Sequence, residues 1–269
     1  MILRLYELPV WGVGLTVALL LVAAMELGAW RGRRRAQTAP RRREDRSDAL
    51  KDVSVGALLA LMGLILAFTY SLSLNRLDAR KQALVHEANA ISTAFLRADL
   101  LAEPDRTVLR QHLLDYARTR VLSERARISI AAGERQIAES LQAQQQLWAA
   151  TKEATEADMP AHIEMIFVNS VNAVVDAHTL RMAAGYDRLP VVVVAFLAAT
   201  ATAAVAVAAK ISATESVFSR GRSLLFVLAL VALIYIILDF DNSSRGLIRV
   251  NQAPLVDVID QMEATLAAR

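Results

Sequence analysis

Four stretches of the chain, residues 10–30, 53–74, 189–209 and 223–240, are long, apolar and almost free of charge. Together they hold 82 of the 269 residues but only two charged side chains, Glu26 and Asp239. A hydrocarbon core about 30 Å thick needs roughly 20 residues of apolar helix to cross it, and these stretches run from 18 to 22 residues. The partition excludes a single soluble globular domain and predicts an integral membrane protein with four spanning helices. The first stretch has Trp11 and Trp30 near its two ends, as in an aromatic belt. Its basic cluster follows it instead of preceding it, so it reads as a retained membrane helix and not as a cleaved signal peptide.

The orientation follows from basic residues in the short loops. Residues 31–52 carry nine Lys or Arg, among them Arg33, Arg34, Arg35 and the triplet Arg41, Arg42, Arg43. Residues 210–222 carry three, Lys210, Arg220 and Arg222. On the other side, residues 1–9 carry one, Arg4, and residues 241–269 carry three. The expected arrangement is a multi-pass protein with loops 31–52 and 210–222 in the cytoplasm. Both termini and residues 75–188 are then outside. The net charge of +3 sits mainly in the 31–52 loop, which suits anionic lipid headgroups and gives no reason to expect nucleic acid. That loop reads as low-complexity and disordered, or as lying against lipid. The Ala- and Arg-rich composition fits a bacterial inner-membrane protein.

Residues 75–188 carry 14 basic and 15 acidic residues, one Gly before Gly185, and two Pro. No strand-like alternation occurs. The fold class predicted is therefore all-α: four membrane helices and a helical bundle outside the membrane, built from extensions of helices two and three. Helix two has no breaker between Leu74 and Leu101, so it should run straight on. Leu84, Ala88, Ile91, Phe95 and Ala98 give it a four-three spaced seam of coiled-coil type. Glu103-Pro104-Asp105 predicts a turn and a new helix. That helix carries Leu109, Leu113, Tyr116, Val121 and Ile128 on one face, with a break near Gly133. Met159-Pro160 marks the next boundary, and Gly185 and Pro190 flank the junction with helix three. The organisation is thus a helix at 1–30, a basic loop at 31–52, and one domain at 53–269. That domain holds spans 53–74, 189–209 and 223–240, the bundle 75–188 and a C-terminal tail 241–269.

Signatures of catalysis are absent. No phosphate-cradling Gly loop, nucleophile elbow or paired-His metal motif occurs, and the chain has no Cys. His86, His112, His162 and His178 are scattered, as solvated or hydrogen-bonded helix histidines would be. No enzyme, cofactor or metal site is expected. Polar clusters carry more information. Arg76, Asp78, Arg80 and Lys81 mark where helix two leaves the membrane, either as interfacial anchors or as a charged ring at a pore mouth. Asn172 and Asp176 lie one helical turn apart, close enough for a polar contact inside the bundle. Glu26 is placed to snorkel to the interface, and Asp239 and Asp241 to end helix four among the headgroups.

Helix two also has two contrasting faces. Gly56, Ala60, Gly63, Ala67 and Ser71 form a row of small residues, of the kind that lets helices approach closely in lipid. The Ala/Thr run at 198–204 in helix three offers a matching surface. The opposite face carries Leu58, Leu61, Ile65, Phe68 and Leu72, which suits lipid contact or an apolar constriction that gates by dewetting.

Several stretches resemble the bestrophin-like domain family, a largely bacterial group of membrane proteins. The run LSLNRLDARKQALVHEANAISTAFLRADLLAEPDRTVLR, with Glu87 and Asn89, carries the resemblance most specifically. The others are Leu147-Trp148, SVNAVVDAHTLR with Asn172, Asp176 and Arg181, and DFDNSSRGLIRVNQAPL with Asp239, Asp241 and Gly246. The resemblance spans roughly 54–265. The family pattern near the C-terminus reads Asp-x-Asp-Arg-Pro, whereas Asn242 and Ser243 stand here in place of Arg-Pro. The family is named for bestrophin anion channels, pentamers with an apolar neck on the second membrane helix. Carried over, the resemblance implies a homo-oligomer passing inorganic anions. Its constriction falls at Leu61, Ile65, Phe68 and Leu72, and its pore-mouth charges at Arg76 and Arg80. A bestrophin-type topology would place residues 75–188 in the cytoplasm, which the distribution of basic residues opposes.

Two functional classes follow. One is a homo-oligomeric channel in the lipid bilayer. The other is a non-conducting envelope scaffold or sensor whose outer bundle binds a partner. The second gains from the lack of ionisable groups within the spans, since such groups usually mark ion paths. A membrane enzyme has no residue pattern in its favour.

Overall fold

A computed structural model describes residues 10–38, 45–156, 160–214, 218–242 and 246–268. Arg4, Arg41 to Arg43, Met159 and Ser243 lie outside the described residues. Helix and connecting turn account for all of them, with no strand among the described residues. In order, the helices are α1 (Val10–Thr38), α2 (Asp45–Arg97) with a 3-10 turn at Ala98–Leu100, and α3 (Asp105–Arg120). Then come α4 (Glu124–Ile128), α5 (Ile130–Thr155), α6 (Ala161–Tyr186), α7 (Val191–Thr214), α8 (Arg220–Asp241) and α9 (Ala253–Ala267). Four helical segments, in α1, α2, α6–α7 and α8, are long and apolar enough to cross a membrane.

The basic segment is ordered further than the sequence suggested. α1 runs through Arg33, Arg34 and Arg35 to Thr38, and α2 already begins at Asp45. Arg is a good helix former, and basic side chains in a last turn complement the helix dipole. Arg34 also stacks over the Trp30 ring at 4.0 Å, and Arg33 over Phe218 at 5.7 Å. Such cation–π contacts hold the guanidinium beside an aromatic face.

The chain divides into two units, Met1–Asn75 with Arg188–Ile248, and Arg76–Asp187 with Arg249–Arg269. The first contains α1, α7, α8 and the spanning part of α2. Its core is built from Leu21, Met25 and Ala29 of α1, Ala201, Ala204 and Val205 of α7, and Leu230, Ile234 and Ile237 of α8. The closest helix pair is α1 with α7, and two glycines explain it. A Cβ at Gly28 would collide with the Ala206 carbonyl oxygen, and one at Gly32 with that of Lys210. Backbone therefore lies against backbone, which in lipid substitutes dispersion contact for the missing hydrophobic drive. The small-residue face was expected on helix two. There, Gly56, Ala60, Gly63, Ala67 and Ser71 are all exposed, and an added Cβ at Gly56 or Gly63 meets nothing within 4 Å. The row of α2 that faces inward is instead Met62, Leu66, Thr69 and Ser73. Small side chains permit close approach without naming the partner, and the Gly28-x-x-x-Gly32 pair was hidden because it brackets Trp30 and Arg31, where the apolar stretch ends.

The second unit is a helical bundle. The seam Leu84, Ala88, Ile91, Phe95, Ala98 is fully buried there, against Leu109, Leu113 and Tyr116 of α3 and Phe167, Val171 and Val174 of α6. The α3 helix ends at Arg120, so Val121 is extended and Ile128 belongs to the separate short α4. The break expected at Gly133 falls at Ser129, whose hydroxyl accepts from the Ala132 N–H and caps α5. The C-terminal segment is not a free tail. α9 places Leu255, Ile259 and Met262 in this core, and a Pro in its first turn suits a helix start.

Candidate functional site

Each sequence-predicted site residue has a definite place. On α2, Leu61, Phe68 and Leu72 are exposed, at 49%, 63% and 48%, while Ile65 is half-buried. These four share a helical row, in which the protomer leaves Leu61, Phe68 and Leu72 uncovered while Ile65 packs partly against the core of the first unit. Large apolar side chains facing outward belong either to a lipid-facing surface or to contacts with further copies of the chain. The geometry thus keeps both sequence readings of this face.

The charges beyond this row are engaged. In the second unit, Arg76 pairs with Asp187 at 3.1 Å. Arg80, nearly buried, donates from Nε to the Ala184 carbonyl at 3.0 Å and from Nη2 to that of Asp187 at 2.5 Å. These are the carbonyls at the C-terminal end of α6, where helix backbone groups lack intrahelical partners and partial negative charge gathers. Arg80 is therefore a cap on α6. Lys81 pairs with Asp78 at 3.2 Å on the same helix.

The second unit also encloses a buried charged network that the sequence only half revealed. Glu87 of α2 is wholly buried. Its Oε1 accepts from Arg120 Nε at 2.6 Å and from the Tyr116 hydroxyl at 3.0 Å. Its Oε2 accepts from Arg181 Nη1 at 2.6 Å. The single Tyr116 proton goes to the carboxylate, so the His178 Nδ1–H, 3.1 Å away, donates to the Tyr116 oxygen. Arg120 Nη1 reaches Ser140 Oγ at 3.2 Å. One carboxylate thereby ties α2, α3 and α6 together, with α5 joined through Ser140. Burial acts to raise the Glu87 carboxyl, but the charges and hydrogen bonds of Arg120 and Arg181 outweigh it and hold it below the usual carboxylate range. Burial, reinforced by the Glu87 charge, pushes the Tyr116 phenol above its ordinary value and keeps it a donor. Burial and the neighbouring Arg120 push His178 down, so it stays neutral near pH 7.

Glu87 and Arg181 were singled out by resemblance. Tyr116, Arg120, Ser140 and His178 were not, although Tyr116 and Arg120 stand one turn apart on α3, and His178 and Arg181 three residues apart on α6. That spacing was the available signal. Asn172, Asp176 and Asn89 are exposed and hold no side-chain hydrogen bond among the described residues. The polar contact expected between Asn172 and Asp176 inside the bundle does not form, because this row of α6 faces outward.

The C-terminal motif is structural in the first unit. Asp239 and Asp241 were placed among headgroups, yet both are buried. Asp239 Oδ1 accepts from the Leu247 N–H and Oδ2 from that of Ile248, both at 2.8 Å. A Cβ at Gly246 would sit 2.5 Å from Asp239 Oδ1, so Gly is the residue that lets the chain fold back over this carboxylate. Asp241 Oδ1 accepts from the Leu189 N–H at 2.9 Å. Glu26, placed to snorkel, forms a two-pronged pair with Arg220 at 3.1 and 3.3 Å.

No group of three or more metal-ligating side chains comes together among the described residues. Neither a curated protein nor a solved structure matches the chain. The family model of the bestrophin-like domain matches residues 19–255. That span reaches back into α1, which the sequence resemblance had left out, and takes in the Glu87 network and the Asp239–Gly246 turn. The chain belongs to the bestrophin-like domain family.

Proposed function

We propose that this protein is a homo-oligomeric membrane channel for small inorganic anions, with α2 forming its constriction. The observation that carries the reading is the row Leu61, Ile65, Phe68 and Leu72 on α2, in which Leu61, Phe68 and Leu72 are exposed and Ile65 is half-buried, in a chain of the bestrophin-like family. Among the described residues, the closest backbone approach in this unit joins α1 to α7 and α8, and α2 reaches the same core through Met62 and Leu66. In an oligomer, a ring of such side chains around an axis would be dry. An ion there loses hydration without gaining ligands, so the ring acts as a gate. On this reading the protein transports and does not catalyse. It sits in a bacterial inner membrane with its termini and bundle outside and the basic loops 31–52 and 210–222 in the cytoplasm. The test is conduction by the purified protein in planar bilayers under an anion gradient.

A second reading, a non-conducting scaffold whose bundle binds a partner, draws on one observation. Arg76 and Arg80, the proposed pore-mouth cations, are engaged by Asp187 and by the carbonyls of α6. A cationic ring at the mouth would need those groups turned toward the axis. A protein that carries no current in bilayers would favour this reading.

A further inference from the structure

Between Lys81 and Arg97 the outer face of α2 is uncharged, in a chain where 21% of residues are charged. Between Gln82 and Leu96 the helix carries one charged side chain, Glu87, and it is wholly buried. Ala79, Gln82, His86, Asn89, Thr93 and Leu96 are all exposed and follow a three-four spacing over five turns of helix. That is the period of a coiled-coil seam. In sequence the same period continues from Leu61, Ile65, Phe68, Leu72 and Asn75. The inner seam of the helix, Leu84 to Ala98, is already filled by α3 and α6, so this outer row is a second seam with no occupant in the protomer. By contrast, the exposed surface of α5 carries Glu134, Arg135, Glu139, Lys152 and Glu153, as a solvated helix face does.

We infer that residues 79–96 of α2 form a seam at which a second copy of this chain docks, parallel and in register. The inference rests on the homo-oligomeric part of the proposed function and not on conduction. Two copies anchored in one membrane with one topology present α2 in the same direction, which fixes a parallel arrangement. A parallel, in-register seam then sets each residue beside its own counterpart. Any charge in the row would face a like charge, and a row without charge avoids that repulsion. Asn89 meeting Asn89 pairs one amide with another. A polar side chain at a seam position specifies register and partner number at some expense of stability.

The chain has no cysteine, so an introduced one is the sole thiol. The test is bismaleimide cross-linking of single-Cys proteins in native membrane vesicles. Asn89→Cys and Thr93→Cys are expected to give covalent dimers, and Gln111→Cys and Gln145→Cys, exposed on α3 and α5, are expected to give none. Absence of dimers at both seam positions, or equal yields at Gln145, overturns the seam. A second arm places like charges on it. Asn89→Arg combined with Thr93→Arg should lower the oligomer mass in detergent while the helical circular dichroism stays unchanged, and an unchanged mass overturns the seam. Cross-linked protein that carries no current would defeat the channel and leave the seam standing. Current without seam cross-links would do the reverse.

Discussion

Glu87 of α2 and Arg181 of α6 stand 94 residues apart in the chain and 2.6 Å apart in the bundle, with the carboxylate sealed from solvent. Arg120 holds the other oxygen of the same carboxylate at 2.6 Å. Removing one member of a buried charged group leaves its partners desolvated without compensation, typically at a cost of about 3–5 kcal/mol. Glu87→Gln strands two guanidiniums and should lower the unfolding free energy of the bundle by about that amount. Arg181 keeps some contact with water, so Arg181→Gln should be milder. Chemical denaturation in detergent, followed by helical dichroism, checks the order. Equal stability of Glu87→Gln and wild type would remove the network from any account of the bundle.

The same network makes stability fall with acid. His178 has its folded value pushed below the ordinary 6.5, so the unfolded chain binds its proton first. Stability contributed by neutral His178 is present above about pH 6.5 and is lost as pH falls below it. Glu87, also held below its usual range, adds a further loss that starts below about pH 4.5, as its folded-state value is approached. Melting curves between pH 7.5 and about 5 should slope downward for wild type and flatten for His178→Gln. A flat wild-type profile contradicts the assignment.

Close packing in the first unit predicts a contrast between two glycines. A side chain at Gly28 meets the backbone of α7, whereas one at Gly63 meets open space. Gly28→Leu should force α1 from α7 and destabilise the unit by at least the 1–3 kcal/mol, roughly, of ordinary overpacking. Gly63→Leu should leave the protomer folded. Thermal unfolding of the two purified variants decides, and equal sensitivity would contradict the assigned faces.

Asp239 and Gly246 should behave as one device. Asp239→Ala strands two backbone N–H groups, and Gly246→Ala pushes a methyl into the same carboxylate. Each should cost about 1–3 kcal/mol. The double variant should cost clearly less than their sum, because Gly246→Ala has no carboxylate left to strike. Additive losses would mean that the two residues act separately.

How legible this was in sequence depended on the kind of signal. The four long apolar helices, the inner seam from Leu84 to Ala98 and the breaks at Pro104 and Pro190 follow from local pattern, and the structure has each of them. Partner choice does not follow from local pattern. The α1–α7 contact rests on Gly28 and Gly32, which sit beside Trp30 and Arg31 and so looked like a headgroup boundary. Tyr116 read as one more apolar position, and its hydroxyl proved to be a hinge between Glu87 and His178. Asp239 and Asp241 looked interfacial because they end a span. Asp239 is covered by residues 246–248 folding back and Asp241 is held by the Leu189 N–H, neither of which spacing alone discloses. The role of Arg80 was hidden for a similar reason, since the carbonyls it caps belong to the end of a helix about a hundred residues away.

The central claim is that α2 lines an ion pathway, and single-channel or macroscopic recording in planar bilayers tests it most directly. The predicted result is a wild-type anion current that rises when Phe68→Ala widens the apolar ring, with the oligomer intact by light scattering. The contradicting result is an intact, reconstituted oligomer that passes no current, either as wild type or as Phe68→Ala.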